Sequence, residues 1–238
     1  MKKFAYILVL SIAILATSSF KRTSAQTSGE QLAKAIYFHD PLQKWNDYAG
    51  KVHLITAFPG NRNSGGEIIE IQTKENFYQY SRIAAKTIRG IKKGECFQTV
   101  DGGNKNLSED ECKTIRQMKG WHYFHFAILM ELKTSGLILG DKVETVKFQG
   151  NDCLAITFTY DPVKTKNDFY KGSNWTVYLD PANYSMKGFK EEGMMNFYAV
   201  FSGILNVNGI KIPLCRTYFK NADDSFYMVD LFSSEEDK

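Results

Sequence analysis

Four connections in the second half of the chain, QGND at 149 to 152, DPANY at 180 to 184, VNG at 207 to 209 and NADD at 221 to 224, are the features that most restrict its fold. Each is flanked by β-rich segments, and a parallel crossover needs a dozen residues or more. Neighbouring strands must therefore run antiparallel. The β-rich segments are 52–58, 67–73, 77–83, 86–92, 96–100, 142–149, 153–160, 175–179, 185–192, 196–207, 211–220 and 226–232. Together they predict one large up-and-down sheet, and a sheet of about ten strands curls or packs against something rather than staying flat.

Two helical signals interrupt this pattern. Ser28 and Gln31 fit a capping box, after which Leu32, Ala35, Ile36 and His39 recur at helical spacing until Asp40-Pro41 stops the helix. A second box, Ser108 with Glu111, opens a helix expected to reach about Gly120. From Trp121 to Lys133, WHYFHFAILMELK reads as a more apolar helix or a buried continuation. The expected fold class is mainly β with some α: a curved antiparallel sheet, with the helix near 28 to 39 and the segment near 108 to 132 on its concave face. Two closed sandwich domains are the competing arrangement.

Residues 1 to 25 have a basic start, an apolar run from Phe4 to Ala16 and a small-residue exit at Ala25, the pattern of a secretory signal. The run is short for a membrane span, which needs about 20 apolar residues, though an uncleaved anchor is the alternative. Residues 26 to 238 carry no linker-like composition and read as one domain. Lys2, Lys3, Lys21 and Arg22 account for the whole formal charge of +4, so the chain after residue 25 is balanced at 26 basic and 26 acidic residues. Nucleic acid, which calls for a basic excess, is not an expected partner. After cleavage, no stable membrane span is expected.

Four cysteines in an exported chain allow three pairings. Cys96 with Cys112 is favoured, because it would close the turn-rich loop GECFQTVDGGNKNLSEDEC, whereas Cys153 and Cys215 fall inside strands as small apolar groups. Zinc takes three or four protein ligands. His122 and His125, three apart on one helical face, have no third ligand at a telling spacing, so no metal and no cofactor are expected. GxSxG, GxxxxGK[ST] and HExxH are all absent from the sequence. Glu191-Glu192 and Asp223-Asp224 fall at turns or strand ends, where solvation is their expected role.

The ordered segments AIYFHDPLQKWNDYAGKVHL, GECFQTVDGGNKNLSEDEC, SNWTVYLDPANYSM and NVNGIKIPLCRTYF resemble a family of exported Bacteroidota proteins of unknown function. The resemblance implies a LolA/LolB-like fold, a half-open antiparallel barrel around helices whose concave apolar face holds acyl chains. It picks out His39, Asp40, Pro41, Trp45, Gly209 and Pro213 as motif residues, to which a structural role is assigned. One departure is visible: where the family pattern has Gly-Leu-Pro near 127 to 129, this chain reads Ala-Ile-Leu.

The resulting expectation is a non-catalytic periplasmic carrier or sensor of an apolar ligand, a lipid or acyl chain. Its candidate cavity residues are Trp121, Phe124, Phe126, Ile128, Leu129, Met130, Phe197 and Phe201. Core filling is the competing role for each of them. The alternative function is a hydrolase or metal-assisted enzyme using His39 and Asp40 or His122 and His125, which requires those groups to converge.

Overall fold

A computed structural model describes residues 27–61, 65–83, 85–132, 136–165 and 171–234; the leader segment at 1 to 25 and Lys133 lie outside the described residues. The chain opens with α1 (Ser28–His39), a 3-10 turn (Lys44–Asp47) and β1 (Ala49–Ala57). It continues through β2 (Gly65–Gln72), β3 (Phe77–Arg82), β4 (Thr87–Lys92), β5 (Glu95–Val100) and the two-residue β6 (Gly103–Asn104) to α2 (Glu109–Glu131). The second half is strand throughout: β7 (Leu137–Phe148), β8 (Asn151–Tyr160), β9 (Asn174–Leu179), β10 (Met186–Glu192), β11 (Phe197–Val207), β12 (Ile210–Lys220) and β13 (Phe226–Ser234).

All thirteen described strands join one curved antiparallel sheet in the order β6-β5-β4-β3-β2-β1-β13-β12-β11-β10-β9-β8-β7. Hairpins carry the chain from β1 out to one edge at β6. Then α2 leads to the opposite edge at β7, and hairpins return to the centre, where β13 pairs with β1. This order explains why a helix is needed at mid-chain. Flat, thirteen strands would measure about 58 Å from edge to edge, while a 23-residue helix reaches about 35 Å. Curvature shortens that distance and creates the hollow in which α2 lies.

Local chemistry sets the element ends. Helix α2 has the expected capping box, with Ser108 accepting from the Glu111 amide and Glu111 accepting from the Ser108 amide. The α1 box stands one residue earlier than expected: Thr27 is the cap and Glu30 its partner. Ser28 is instead buried in the first turn, with its hydroxyl donating to the Gly140 carbonyl of β7, so packing against the sheet wins over capping. Between β11 and β12, Asn208 (φ 52°) and Gly209 (φ 89°) both take positive φ, the type I′ geometry that suits a twisted hairpin. Pro213 falls where β12 is not yet paired with β13, a position in a strand that tolerates the loss of an amide donor.

Helix α2 also departs from its expected outline. It runs unbroken through Gly120, which weakens a helix by about 1 kcal/mol without ending it. The break comes at Ala127 (φ −137°, ψ 35°). Cys96 on β5 and Cys112 in the first turn of α2 are joined by a disulfide. Closing a loop of that length typically contributes about 3 kcal/mol. It also fixes where α2 starts beneath the sheet.

The large core is built from the concave face and the two helices. A smaller cluster of Phe148, Cys153 and Tyr198, with Tyr178, Val200 and Phe219 against it, lies apart from that core. Phe148 stacks on Tyr178 at 3.9 Å and Tyr198 on Phe219 at 5.2 Å. Long strands with apolar residues at both parities thereby cover two clusters. The second free thiol, Cys215, is only half-buried, because its strand parity turns it away from the main core.

Candidate functional site

His39 ends α1 in a buried position. Its Nδ1–H donates to the Lys211 carbonyl at 2.6 Å and its Nε2 accepts from the Met186 amide at 3.0 Å, which together assign the neutral tautomer. One ring thus ties α1 to β12 and β10. Burial, with Lys211 and Arg216 nearby, lowers its pKa from 6.5 to about 4, against the opposing backbone hydrogen bond. Asp40 accepts from the Lys44 amide at 2.7 Å and the Trp45 amide at 3.0 Å, fixing the turn that leaves the helix. Trp45 then donates from Nε1 to Glu131 at 3.0 Å and packs on Tyr48, Tyr123 and Phe126, joining this turn to the end of α2.

The depressed His39 value has a consequence for stability. Below pH 6.5 the unfolded imidazole takes up a proton that the native one refuses until about pH 4, so the stability is complete above 6.5 and lost as pH falls to 4. The loss amounts to about 3 kcal/mol. His125, also held well below its ordinary value by burial, acts in the same direction. Urea unfolding at pH 7, 6 and 5 should give a flatter profile for His39→Gln than for the unaltered protein. Parallel profiles would show that His39 is not held neutral by the fold.

The two histidines of α2 point to different partners. His122 is buried between Tyr78, whose hydroxyl donates to Nδ1 at 2.7 Å, and Glu67, which accepts from Nε2 at 3.1 Å. His125 donates from Nδ1 to the Trp121 carbonyl at 2.6 Å, and its ring lies 5.8 Å from that of Tyr218. No group of three His, Cys, Asp or Glu side chains placed to hold a metal occurs among the described residues. His122 is thus held by two polar side chains, whereas His125 is tied to the backbone at Nδ1 and its buried Nε2 makes no hydrogen bond among the described residues.

Most of the candidate cavity residues pack tightly. Phe124 lies 4.7 Å from the Trp175 ring and 5.1 Å from Phe189, while Phe197 and Phe201 meet Phe189 at 5.6 and 5.8 Å. Trp121 is half-buried, with its ring tilted against that of His125, the centres 3.7 Å apart. Every residue from His122 to Met130 is buried. Beside the break at Ala127 a void of about 10 Å³ remains, bounded by Phe126, Ile128, Leu129, Met130, His39 and Arg216. That is room for about one water molecule.

Two features of the structure were not singled out in the sequence. The first is a row of facing residues across four strands: Thr56, Asp230, Arg216 and Phe201. Asp230 accepts from the Thr56 hydroxyl at 2.6 Å, and the Arg216 guanidinium lies 4.6 Å from the Phe232 ring centre and 5.2 Å from that of Phe201. Burial pushes the Asp230 carboxyl up, and the Arg216 charge opposes that shift. Arg216 Nε and Nη1 make no hydrogen bond among the described residues. The second feature is an open groove of about 650 Å³ along α1, walled by Tyr37, Phe38, Pro41 and Tyr184 and carrying Lys34 and Lys211.

The carboxylate pairs divide. Glu191 does not serve solvation: it is fully buried and accepts from the amides of Met194, Met195 and Asn196, an anchor for the turn into β11. Glu192 is exposed beside Lys190, and Asp223 caps its own turn through the Ser225 amide. A buried carboxylate is stable when backbone donors replace its water.

Comparison with known proteins gives a family and a fold. A family model described as "Family of unknown function (DUF6503)" matches residues 2–193. No curated protein matches the sequence. Among solved structures, a LolA superfamily protein from Nitrosomonas europaea is similar at 11% identity and TM-score 0.52, over 88% of this chain and 93% of that one. A DUF1329 family protein from Desulfovibrio piger is similar at 10% identity and TM-score 0.52, over 87% and 91%. The fold is thus LolA-like.

Proposed function

We propose that this chain, which belongs to the DUF6503 family of unknown function, is an exported, non-catalytic carrier or sensor of an apolar ligand. The reading places it in the periplasm of a Bacteroidota cell after removal of residues 1 to 25. No helix among the described residues is long and apolar enough to cross a membrane.

One observation carries the proposal: α2 is buried on every side from His122 to Met130 and loses helical geometry at Ala127. A helix apolar all round needs an apolar enclosure. Here the enclosure is the hollow of the sheet, and the broken segment is the part of the filling able to leave it as a unit. An acyl chain entering the hollow would take over the contacts of Phe124 with Trp175 and Phe189. His39, His122 and Asp40 support a non-catalytic reading, since their polar atoms are hydrogen-bonded within the fold.

The experiment is native mass spectrometry and lipid extraction of protein purified from its own cell envelope, with a fluorescent fatty-acid analogue titrated into the stripped protein. A bound acyl compound and saturable uptake of the probe are expected. Repeated recovery of empty protein that also ignores the probe would end the carrier reading.

A further inference from the structure

We propose that the groove along α1 is a head-group site for a single-chain carboxylate amphiphile, with Lys34 and Lys211 holding the carboxylate and the chain directed inward past Lys211. Lys34 Nζ lies 3.2 Å from the Tyr184 hydroxyl and 4.9 Å from the centre of its ring. Lys211 Nζ lies 4.5 Å from the centre of the Phe38 ring. Neither lysine is ion-paired to a carboxylate among the described residues, and no acidic side chain lines the groove. Two ammonium groups over aromatic walls therefore present uncompensated positive charge within an apolar concavity of about 650 Å³. That is the size and character of a small-molecule site.

The direction of the chain follows from a shared wall. Lys211 lines both this groove and the void at Ala127, and its carbonyl is held in place by the His39 Nδ1–H. A head on the lysines leaves the tail facing the break in α2, whereas a bulky two-chain lipid would not pass beside one side chain. The tail's destination rests on the carrier reading; the head-group site does not.

The test is calorimetric titration of dodecanoate and of dodecanol, both kept monomeric, into the protein with residues 1 to 25 removed. Dodecanoate should bind at least tenfold more tightly than dodecanol, because a charge-assisted pair adds roughly 1.5 to 3 kcal/mol, and tenfold corresponds to about 1.4. Lys34→Met with Lys211→Met, which keeps apolar stems in place, should abolish that preference, and Lys34→Arg with Lys211→Arg should keep it. Thermal unfolding of each variant identifies any that fails to fold, in which case the arginine pair and the dodecanol comparison decide. Equal affinity for acid and alcohol, or a preference that survives both methionines, overturns the head-group site while the carrier reading stands. Binding of neither compound overturns both.

Discussion

Replacing Asp230 by alanine is expected to cost about 3 to 5 kcal/mol, because it leaves the Arg216 guanidinium as a buried charge with no acidic partner on the facing strand. The guanidinium has lost its water, two of its nitrogens have no protein acceptor, and aromatic faces on Phe201 and Phe232 replace only part of that hydration. Removing both charges together is a different experiment. In Arg216→Met with Asp230→Leu the hollow receives apolar groups of similar bulk, and such exchanges are often neutral or stabilising. Urea unfolding of the single and double variants measures both. A single-variant loss below about 1 kcal/mol, or a double variant as weak as the single, would mean that the pair is not coupled as its facing positions imply.

The pair also shows how much of the site the sequence discloses. In IKIPLCRTYF, Arg216 shares parity with Ile212 and Tyr218; in FYMVDLF, Asp230 shares parity with Met228 and Phe232. Alternation alone therefore points both charges inward. What alternation does not say is that the two strands are neighbours in a register that sets them opposite one another. The antiparallel sheet was legible because short connections allow no other pairing, and the hairpin at Asn208-Gly209 marks its own turn type. The cap of α1 stands one residue before its expected place, because Thr27 and Ser28 can both cap and only contact with Gly140 on a distant strand decides between them.

The groove was not legible for a related reason. Its lysines lie 177 positions apart, and Tyr184 comes from a third segment, so no local pattern joins them. Conversely, Phe124 to Met130 were legible as buried but not as filling or lining. Both roles use the same residues, and the difference lies in packing density, which a sequence does not record.

Phe124→Ala addresses that difference and has the other large expected effect, a loss of about 3 to 5 kcal/mol. Phe124 is fully buried, and its ring meets Trp175, Phe189 and His125 within 5.3 Å, so truncation opens a space that the sheet cannot collapse to fill. If α2 is fixed core, that loss is the whole result. If its apolar half is exchangeable filling, the same truncation weakens the helix in its contest with a ligand, and Phe124→Ala should bind dodecanoate more tightly than the unaltered protein even as it unfolds at lower urea. The two readouts move in opposite directions only when helix and ligand compete for one hollow. A destabilised variant with unchanged or weakened binding would show that α2 does not give up its place to a chain.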